Sequence, residues 1–387
     1  MRVAYFGLLS ETSSRHSMHV PGLRAAGAEV VEWRAPLWLL PGHSRGPAPS
    51  GVSAQRVGYE LGEAARMVAR IAWLVVAGLR IRGPVDVVVV SEFNHALTPL
   101  ARLFARRWGA RLVVDFCFSF WDTAVNDRKV LDPRKPRARY RKWLDATALR
   151  MADDVITETP ATARQFDDLF GGVLEKAHPL PLGVEETRFS PAPLREREPG
   201  DPLRVLYVGS FIPLHGLDTV LEAARLLAGD ERISFALCGK GQTREALMDA
   251  WDGANVEFPG FVPEEELRER LAAADVCLGV FGTSEKARNV LTHKVWEALA
   301  SGRPVVTGDG PGPRSMLVDV ETALLVPHGD PQALAAALVR LADDPALARR
   351  LADAGLELAE AHTTSQIGRM LAEILDRSSS DRFLRGT

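Results

Sequence analysis

The sequence predicts an α/β fold in which two doubly wound domains face each other across a cleft. Three observations carry this prediction. Aliphatic runs at 85–90 and 276–280 lack polar alternation, as expected of strands buried on both faces of a parallel sheet. Segments long enough for helices separate such runs, which is the strand and helix alternation of a doubly wound sheet. Between residues 190 and 202 the run SPAPLREREPGDP, with four prolines, interrupts that alternation, and the same order then starts again. A chain of 387 residues also exceeds one ordinary core. The expected units are a first domain at 1–190, a linker at 191–202, a second domain at 203–365, and a terminal helix and tail at 366–387.

Residues 3–7 read as a short strand, followed by a polar loop at 10–17, a helix through Ala26 and a strand at 29–33. Residues 36–56 are rich in Pro, Gly and Ser and read as an insertion, either a cover that selects an acceptor or plain surface irregularity. At 60–82 an apolar helix carries arginines at both ends (Arg66, Arg70, Arg80 and Arg82), which fits either a membrane surface or a buried crossover helix. After the strand at 85–90 come Ser91, Glu92, Asn94 and His95, a helix to Trp108, a strand at 112–115 and an aromatic, acidic loop at 116–127. Polar groups that follow strands in an open α/β sheet point into the ligand crevice, so His95, Asp115 and Asp122 are candidate site residues. A His that opens a helix also serves as a local hydrogen-bonding group. The segment 132–150 reads as a strongly basic, solvated helix, 155–157 as a strand, and 177–184 closes the first domain. Beyond the linker lie a strand at 205–208, the loop FIPLHG, a helix at 217–228, a strand at 233–238 and the tripeptide GKG. Residues 346–384 are helical by periodicity and end in a polar tail expected to fray.

The totals exclude several partners. Charged residues make up 25% and the formal net charge is -3, so there is no field suited to nucleic acid. Cys117, Cys238 and Cys277 lie far apart in apolar runs and read as core residues of a reduced, cytoplasmic protein. The opening MRVAYFGLL lacks the cleavage pattern of a signal peptide. No stretch reaches the roughly 20 apolar residues of a membrane-crossing helix.

The most informative stretch is 271–307. It reads as a strand at 276–280, a polar loop, a helix at 292–300, a Gly-Arg-Pro stop and a strand from Val305. Its loop and helix start carry Lys286, Arg288, Asn289, His293 and Lys294, and Glu297 follows Lys294 by one turn. Cations and a helix N-terminus at the carboxyl end of a parallel strand suit a phosphate. An ionised carboxylate beside them can only accept, which suits a sugar hydroxyl. Together they suggest a site for a nucleotide diphosphate; a solvated basic loop with an exposed ion pair is the plainer alternative.

The segments VLYVGSFIPLHGLDTVLEAARLL, FALCGKG, NVEFPGFVPEEELRERLAAADV and KVWEALASGRPVV, in this order, resemble the carboxyl-terminal domain of the family-four retaining glycosyltransferases of the GT-B fold. Upstream, ADDVITETPATARQF and PLGVEETRFSPAP are similar to the end of that family's first domain. The resemblance implies two Rossmann-like domains and a hexosyltransferase-type enzyme. It implies that Glu297 accepts hydrogen bonds from the donor ribose, that Phe261 and Val262 lie where backbone reads the nucleobase, and that Gly209 and Gly239 keep space clear for the nucleotide. Asn289 stands where the family usually places a glutamate that touches the transferred sugar, eight positions before Glu297. Ser210 and His215 stand in the loop where an arginine and a lysine are common, so Lys294, with Lys240 or Arg288, is expected to replace the lost cations. The segment 10–16 replaces the family's Gly-Gly loop.

The reaction implied is transfer of a sugar from a nucleotide diphosphate sugar to an acceptor hydroxyl with retained configuration. Negative charge grows on the leaving phosphate, and Lys294, the amides opening its helix, Lys240 and His215 are the groups expected to meet it. His95 or Asp115 would orient the acceptor or the sugar. No cofactor and no metal are expected. The expected partners are the nucleotide sugar and a small, glycan, natural-product or lipid-linked acceptor, with peripheral membrane contact in the lipid case. A sugar-nucleotide epimerase and a scaffold that has lost transfer are the alternatives. The residues specify no base, sugar, acceptor or oligomeric state.

Overall fold

The computed structural model describes residues 1–8, 14–35, 54–198 and 201–385. The predicted insertion at 36–56 lies outside the described residues up to 53, as does most of the segment 10–16. Two parallel six-stranded sheets form the frame. The first contains β1 (Arg2–Gly7), β2 (Glu29–Arg34), β3 (Val87–Val90), β4 (Arg111–Asp115), β5 (Asp154–Thr157) and β6 (Ala177–Pro179) in the order β2-β1-β3-β4-β5-β6. The second contains β7 (Leu203–Val208), β8 (Ile233–Cys238), β9 (Val256–Gly260), β10 (Val276–Leu278), β11 (Val305–Asp309) and β12 (Leu324–Pro327) in the order β12-β11-β10-β7-β8-β9.

The aliphatic strands explain this arrangement. Val87 to Val90 are fully buried because helices cover both faces, and Val3 pairs with Val87 while Val88 pairs with Leu112 in parallel register. The strand order reverses between β1 and β3 in the first sheet and between β7 and β10 in the second. Ligands bind at such switch points, beyond the carboxyl ends of the strands.

The terminal segment is the expected helix, and the end of the tail, 386–387, lies outside the described residues. Helix Thr364–Arg385 packs against helix Ser14–Ala25, so the end of the chain returns to the first half. Ile367, Leu371 and Leu375 are fully buried in one cluster with Val3, Tyr5, Met18 and Leu180. The two helices touch at glycines: a Cβ on Gly368 would lie 2.1 Å from the carbonyl carbon of Gly22.

Helix Ala54–Arg80 matches neither alternative in full. Leu74 is buried, and its carbonyl accepts from Trp33 Nε1 at 2.7 Å. Met67, Val68, Ile71, Trp73, Val76 and Leu79 remain exposed, which rules out a fully buried crossover. Among the described residues, no helix is long and apolar enough to cross a membrane. The basic helix Pro136–Met151 is also two-sided, because Asp145 and Leu149 are buried beneath its arginines. All three cysteines are unpaired; Cys238 and Cys277 are core, whereas Cys117 is partly exposed beside Glu92.

Candidate functional site

The second domain supplies a helix N-terminus. After β10, Ser284 caps the short helix Glu285–Asn289 by accepting from the Ala287 amide at 3.2 Å. Helix His293–Ala300 follows, and its cap residue Thr292 makes no side-chain cap bond; Thr292 Oγ1 is buried without a partner. Its apolar face (Val295, Trp296, Leu299) is sunk in the core, which leaves Lys294 and Glu297, one turn apart, on the partly exposed face.

Lys294 Nζ lies 3.3 Å from Tyr207 Oη and 4.6 Å above the Tyr207 ring. Burial lowers its pKa from 10.5 to about 7, against the raising pull of Glu297. The Glu297 carboxyl is pushed upward by burial, and Arg188 and Lys294 act against that push. A Cβ on Gly209 (φ +153°) would lie 2.8 Å from Lys294 Nζ, and one on Gly239 (φ +140°) only 1.8 Å from the Gly209 carbonyl oxygen. These two turns need glycine both for conformation and for room, because the space a Cβ would take is already filled by the Lys294 side chain and by Gly209 backbone. Behind Lys294 and Glu297, toward Leu206 and Cys277, lies a cavity of only about 10 Å³, about one water, which leaves no room for a larger molecule on that side. A larger cavity of about 380 Å³, lined by Arg204, Ser234, Asn255 and Arg270, shares Leu206 with the small one but includes neither Lys294 nor Glu297 in its lining.

The other predicted residues of this domain fall into two sets. Lys240 is exposed with Nζ 4.8 Å over the Phe261 ring; Phe261 is exposed, Val262 is buried beside it, and Arg288 is exposed. His215 is held as a neutral ring. Its Nδ1 lies 2.5 Å from the Ser210 carbonyl and 2.7 Å from Tyr207 Oη, and burial, aided by Lys294, pushes its pKa well below 6.5. It shapes the Ser210 loop as a neutral ring and brings no cation. His293 is likewise neutral, pushed down to about 3 by burial and by Arg15 and Arg188.

Asn289 faces the other domain. Its Nδ2 donates to Gln165 Oε1 at 3.1 Å, and its carbonyl accepts from Thr159 Oγ1 (2.7 Å) and Thr162 Oγ1 (3.1 Å). The Leu291 amide donates to Glu158 Oε1 at 2.6 Å, and Lys286 Nζ donates to Thr123 Oγ1 at 2.7 Å. Burial pushes the Glu158 carboxyl up to about 7. The two sheets are thus joined across the cleft at 286–291, and the Asn289 amide is used in that junction. The expected sugar contact by Asn289 is corrected to this role in the present arrangement.

His95 and Asp115 are also corrected. His95 is 1% exposed, stacks 4.4 Å from Phe116 and sits with Nδ1 3.5 Å from Asp145 Oδ1. Asp115 is fully buried and accepts from Arg15 Nε at 2.8 Å. Both follow the carboxyl ends of strands and are buried beside a group from another element, Asp145 and Arg15, while both His95 ring nitrogens and Asp115 Oδ1 have no hydrogen-bond partner among the described residues. Asp122 is buried too, accepting from Asn126 Nδ2 at 2.7 Å. Arg15, Glu158 and Gln165 were missed. Glu158 directly follows β5 and carried the same positional signal as Asp115; Arg15 lay within the noted segment 10–16; nothing in the sequence marked Gln165.

Residues 13–183 match the glycosyl transferase 4-like domain, and residues 202–344 match the glycosyl transferases group 1 family. The chain belongs to the family-four glycosyltransferases. The amylovoran biosynthesis glycosyltransferase AmsK of Erwinia amylovora is 30% identical over 211 residues, 52% of this chain and 51% of that protein. The MMP alpha-(1->4)-mannosyltransferase of Mycolicibacterium hassiacum is 30% identical over 234 residues, 57% of this chain and 54% of its own length. This glycosyltransferase chain spans about half the length of the curated relatives it matches. Among solved structures, Anabaena Alr3699/HepE in complex with UDP and glucose superposes with a TM-score of 0.66 at 14% identity, covering 97% of this chain and 100% of that one. Sucrose-phosphate synthase from Thermosynechococcus elongatus gives 0.68 at 19% identity, covering 98% and 99%. The glycosyltransferase therefore has the GT-B fold.

Proposed function

We propose that this glycosyltransferase moves a hexosyl group from a nucleotide diphosphate sugar to an acceptor hydroxyl with retention of configuration. The observation that carries the reading is the pairing of Lys294 and Glu297 at an uncapped helix N-terminus, under two glycines that admit no Cβ. The protonated Lys294 and the free amides of the first turn meet the charge that grows on the departing phosphate, which lowers the transition state more than the ground state. Glu297 accepts from the ribose hydroxyls, and Phe261 and Val262 flank the base, with Lys240 beside them. Arg288 and Ser210 border the same face. Asn289 carries no charge and supplies no nucleophile; the leaving phosphate takes the acceptor proton on the face from which it departs.

Relatives named as mannosyltransferases and a structural neighbour solved with UDP and glucose support a sugar-nucleotide donor. They give no support to the epimerase or scaffold alternatives. The acceptor, small or lipid-linked, belongs to the first domain, and the exposed apolar strip of helix Ala54–Arg80 supports contact with a membrane surface in the lipid case. A cytoplasmic setting and metal independence are parts of the proposal. The test is a panel of nucleotide sugars with and without acceptor mixtures, in the presence and absence of a chelator. Acceptor-dependent release of nucleoside diphosphate that survives chelation supports the reading. Equal donor binding and turnover by Glu297→Ala counts decisively against the ribose assignment.

A further inference from the structure

Arg15 belongs to the first domain, and apart from its pairing with Asp115 and its effect on His293 no role has been described for it. It lies in helix Ser14–Ala25, just beyond β1 and next to the switch point of the first sheet. The side chain is 1% exposed. Its Nε donates to Asp115, whereas Nη1 and Nη2 are buried with no partner among the described residues. A buried guanidinium that leaves its forked edge empty is costly, because each unmet donor carries its desolvation penalty. Such an edge matches a phosphoryl group, which accepts two parallel hydrogen bonds.

Asp115, which holds Arg15, pairs in the sheet with Ile156, two residues before the Glu158 carboxyl that accepts from the Leu291 amide of the second domain. The Arg15 charge acts on His293, the first residue of the helix whose N-terminus faces the cleft, and on Glu158, which holds the Leu291 amide two residues earlier. Across the cleft, the cations expected from the second domain are depleted. His215 and His293 are neutral, Lys294 is only half protonated near pH 7, and Lys240 and Arg288 are exposed. A diphosphate brings two or more negative charges to a domain that offers it little counter-charge.

We infer that Arg15 binds a phosphoryl group in the cleft, namely the terminal phosphate of the nucleotide diphosphate, and so supplies from the first domain the cation that the second domain lacks. Its ion pair with Asp115 fixes the fork in place, and the empty edge is reached when the contacts at Asn289 and Leu291 part. The inference rests on the donor reading above. A phosphate carried by the acceptor has the same chemistry, and the experiment separates the two sources.

Calorimetric titrations of the full chain with UDP and GDP, with UMP and GMP, and with inorganic phosphate are compared for the parent, Arg15→Gln, Arg15→Lys and the charge-balanced double variant Arg15→Gln/Asp115→Asn. Thermal melting checks the fold of each, and the double variant avoids leaving Asp115 buried and unpaired. A donor-phosphate contact predicts a loss of roughly ten- to a hundredfold for the diphosphate, little change for the monophosphate, and partial recovery with lysine. Unchanged diphosphate binding with lost inorganic-phosphate binding moves the phosphoryl group to the acceptor. A folded double variant that binds diphosphate and inorganic phosphate as the parent does overturns the inference. A parent that binds no nucleotide overturns the donor reading instead, and the inorganic-phosphate arm still decides Arg15.

Discussion

Lys294 makes nucleotide affinity a function of pH in a way that can be worked out in advance. Burial brings its pKa down to about 7, so the empty site is half protonated at neutral pH and mostly neutral at pH 9. A bound diphosphate needs the ammonium form and holds it, so each binding event above pH 7 must first recover a proton. The observed dissociation constant then grows as one plus ten to the power of (pH minus 7), about twofold at pH 7 and about a hundredfold at pH 9. Affinity for UDP or GDP therefore falls roughly fiftyfold across that window, about 2.3 kcal/mol. The ligand's own second ionisation, near pH 6, is complete below the window and acts in the opposite sense. Calorimetric titration at half-unit steps reads the slope, and Lys294→Gln, which carries no titrating amine, should bind more weakly but with a flat profile. A parent affinity constant from pH 7 to 9, or a slope that survives in Lys294→Gln, would refute this account.

Glu158 gives a dependence of the same sign in stability: its folded pKa is raised from 4.5 to about 7, so its contribution is present in full below pH 4.5 and is lost as pH rises through 7. Glu158→Gln keeps an acceptor for the Leu291 amide, and its stability relative to the parent, read by chemical denaturation, should rise by up to about 3 kcal/mol between pH 5 and 8. Gly368→Ala places a Cβ 2.1 Å from Gly22 backbone, and the overpacking, about 1–3 kcal/mol, should exceed the gain of about 1 kcal/mol in helix propensity and lower the melting temperature. Vesicles containing anionic lipid should pull down the parent in co-sedimentation, and Val68→Glu with Leu79→Glu should abolish this without altering nucleotide binding; equal sedimentation of both would refute contact through helix Ala54–Arg80.

The strands and the Lys294 face were legible because both depend on local pattern. Val87 to Val90 must be buried on two faces, and residues three apart on a helix must share one. His215 was legible as a poor substitute for a lysine, but its partners, the Tyr207 hydroxyl and the Ser210 carbonyl, and its burial were not. His95 and Asp115 were misplaced because their partners come from elsewhere: Asp145 lies on a helix read as solvated, and Arg15 stands 100 residues from Asp115. The rule that polar groups after strands reach the ligand holds for the backbone position, and tertiary contacts decide which side chains remain available. The terminal segment was legible as a helix, but its return to the first domain was not, because its glycine contact with helix Ser14–Ala25 leaves no trace in periodicity.

The return of that helix also constrains how the enzyme can move. The polypeptide passes from one sheet to the other twice, and the two passages run side by side where Val184 donates to the His362 carbonyl and Glu186 accepts from the Thr364 amide. A single tether would let the halves swivel freely, whereas a doubled spine permits them to swing apart like the covers of a book and resists twisting. Asn289 and Gln165, which touch across the junction, would then separate and meet again along one repeatable arc, so each closure restores the same register between the two sides.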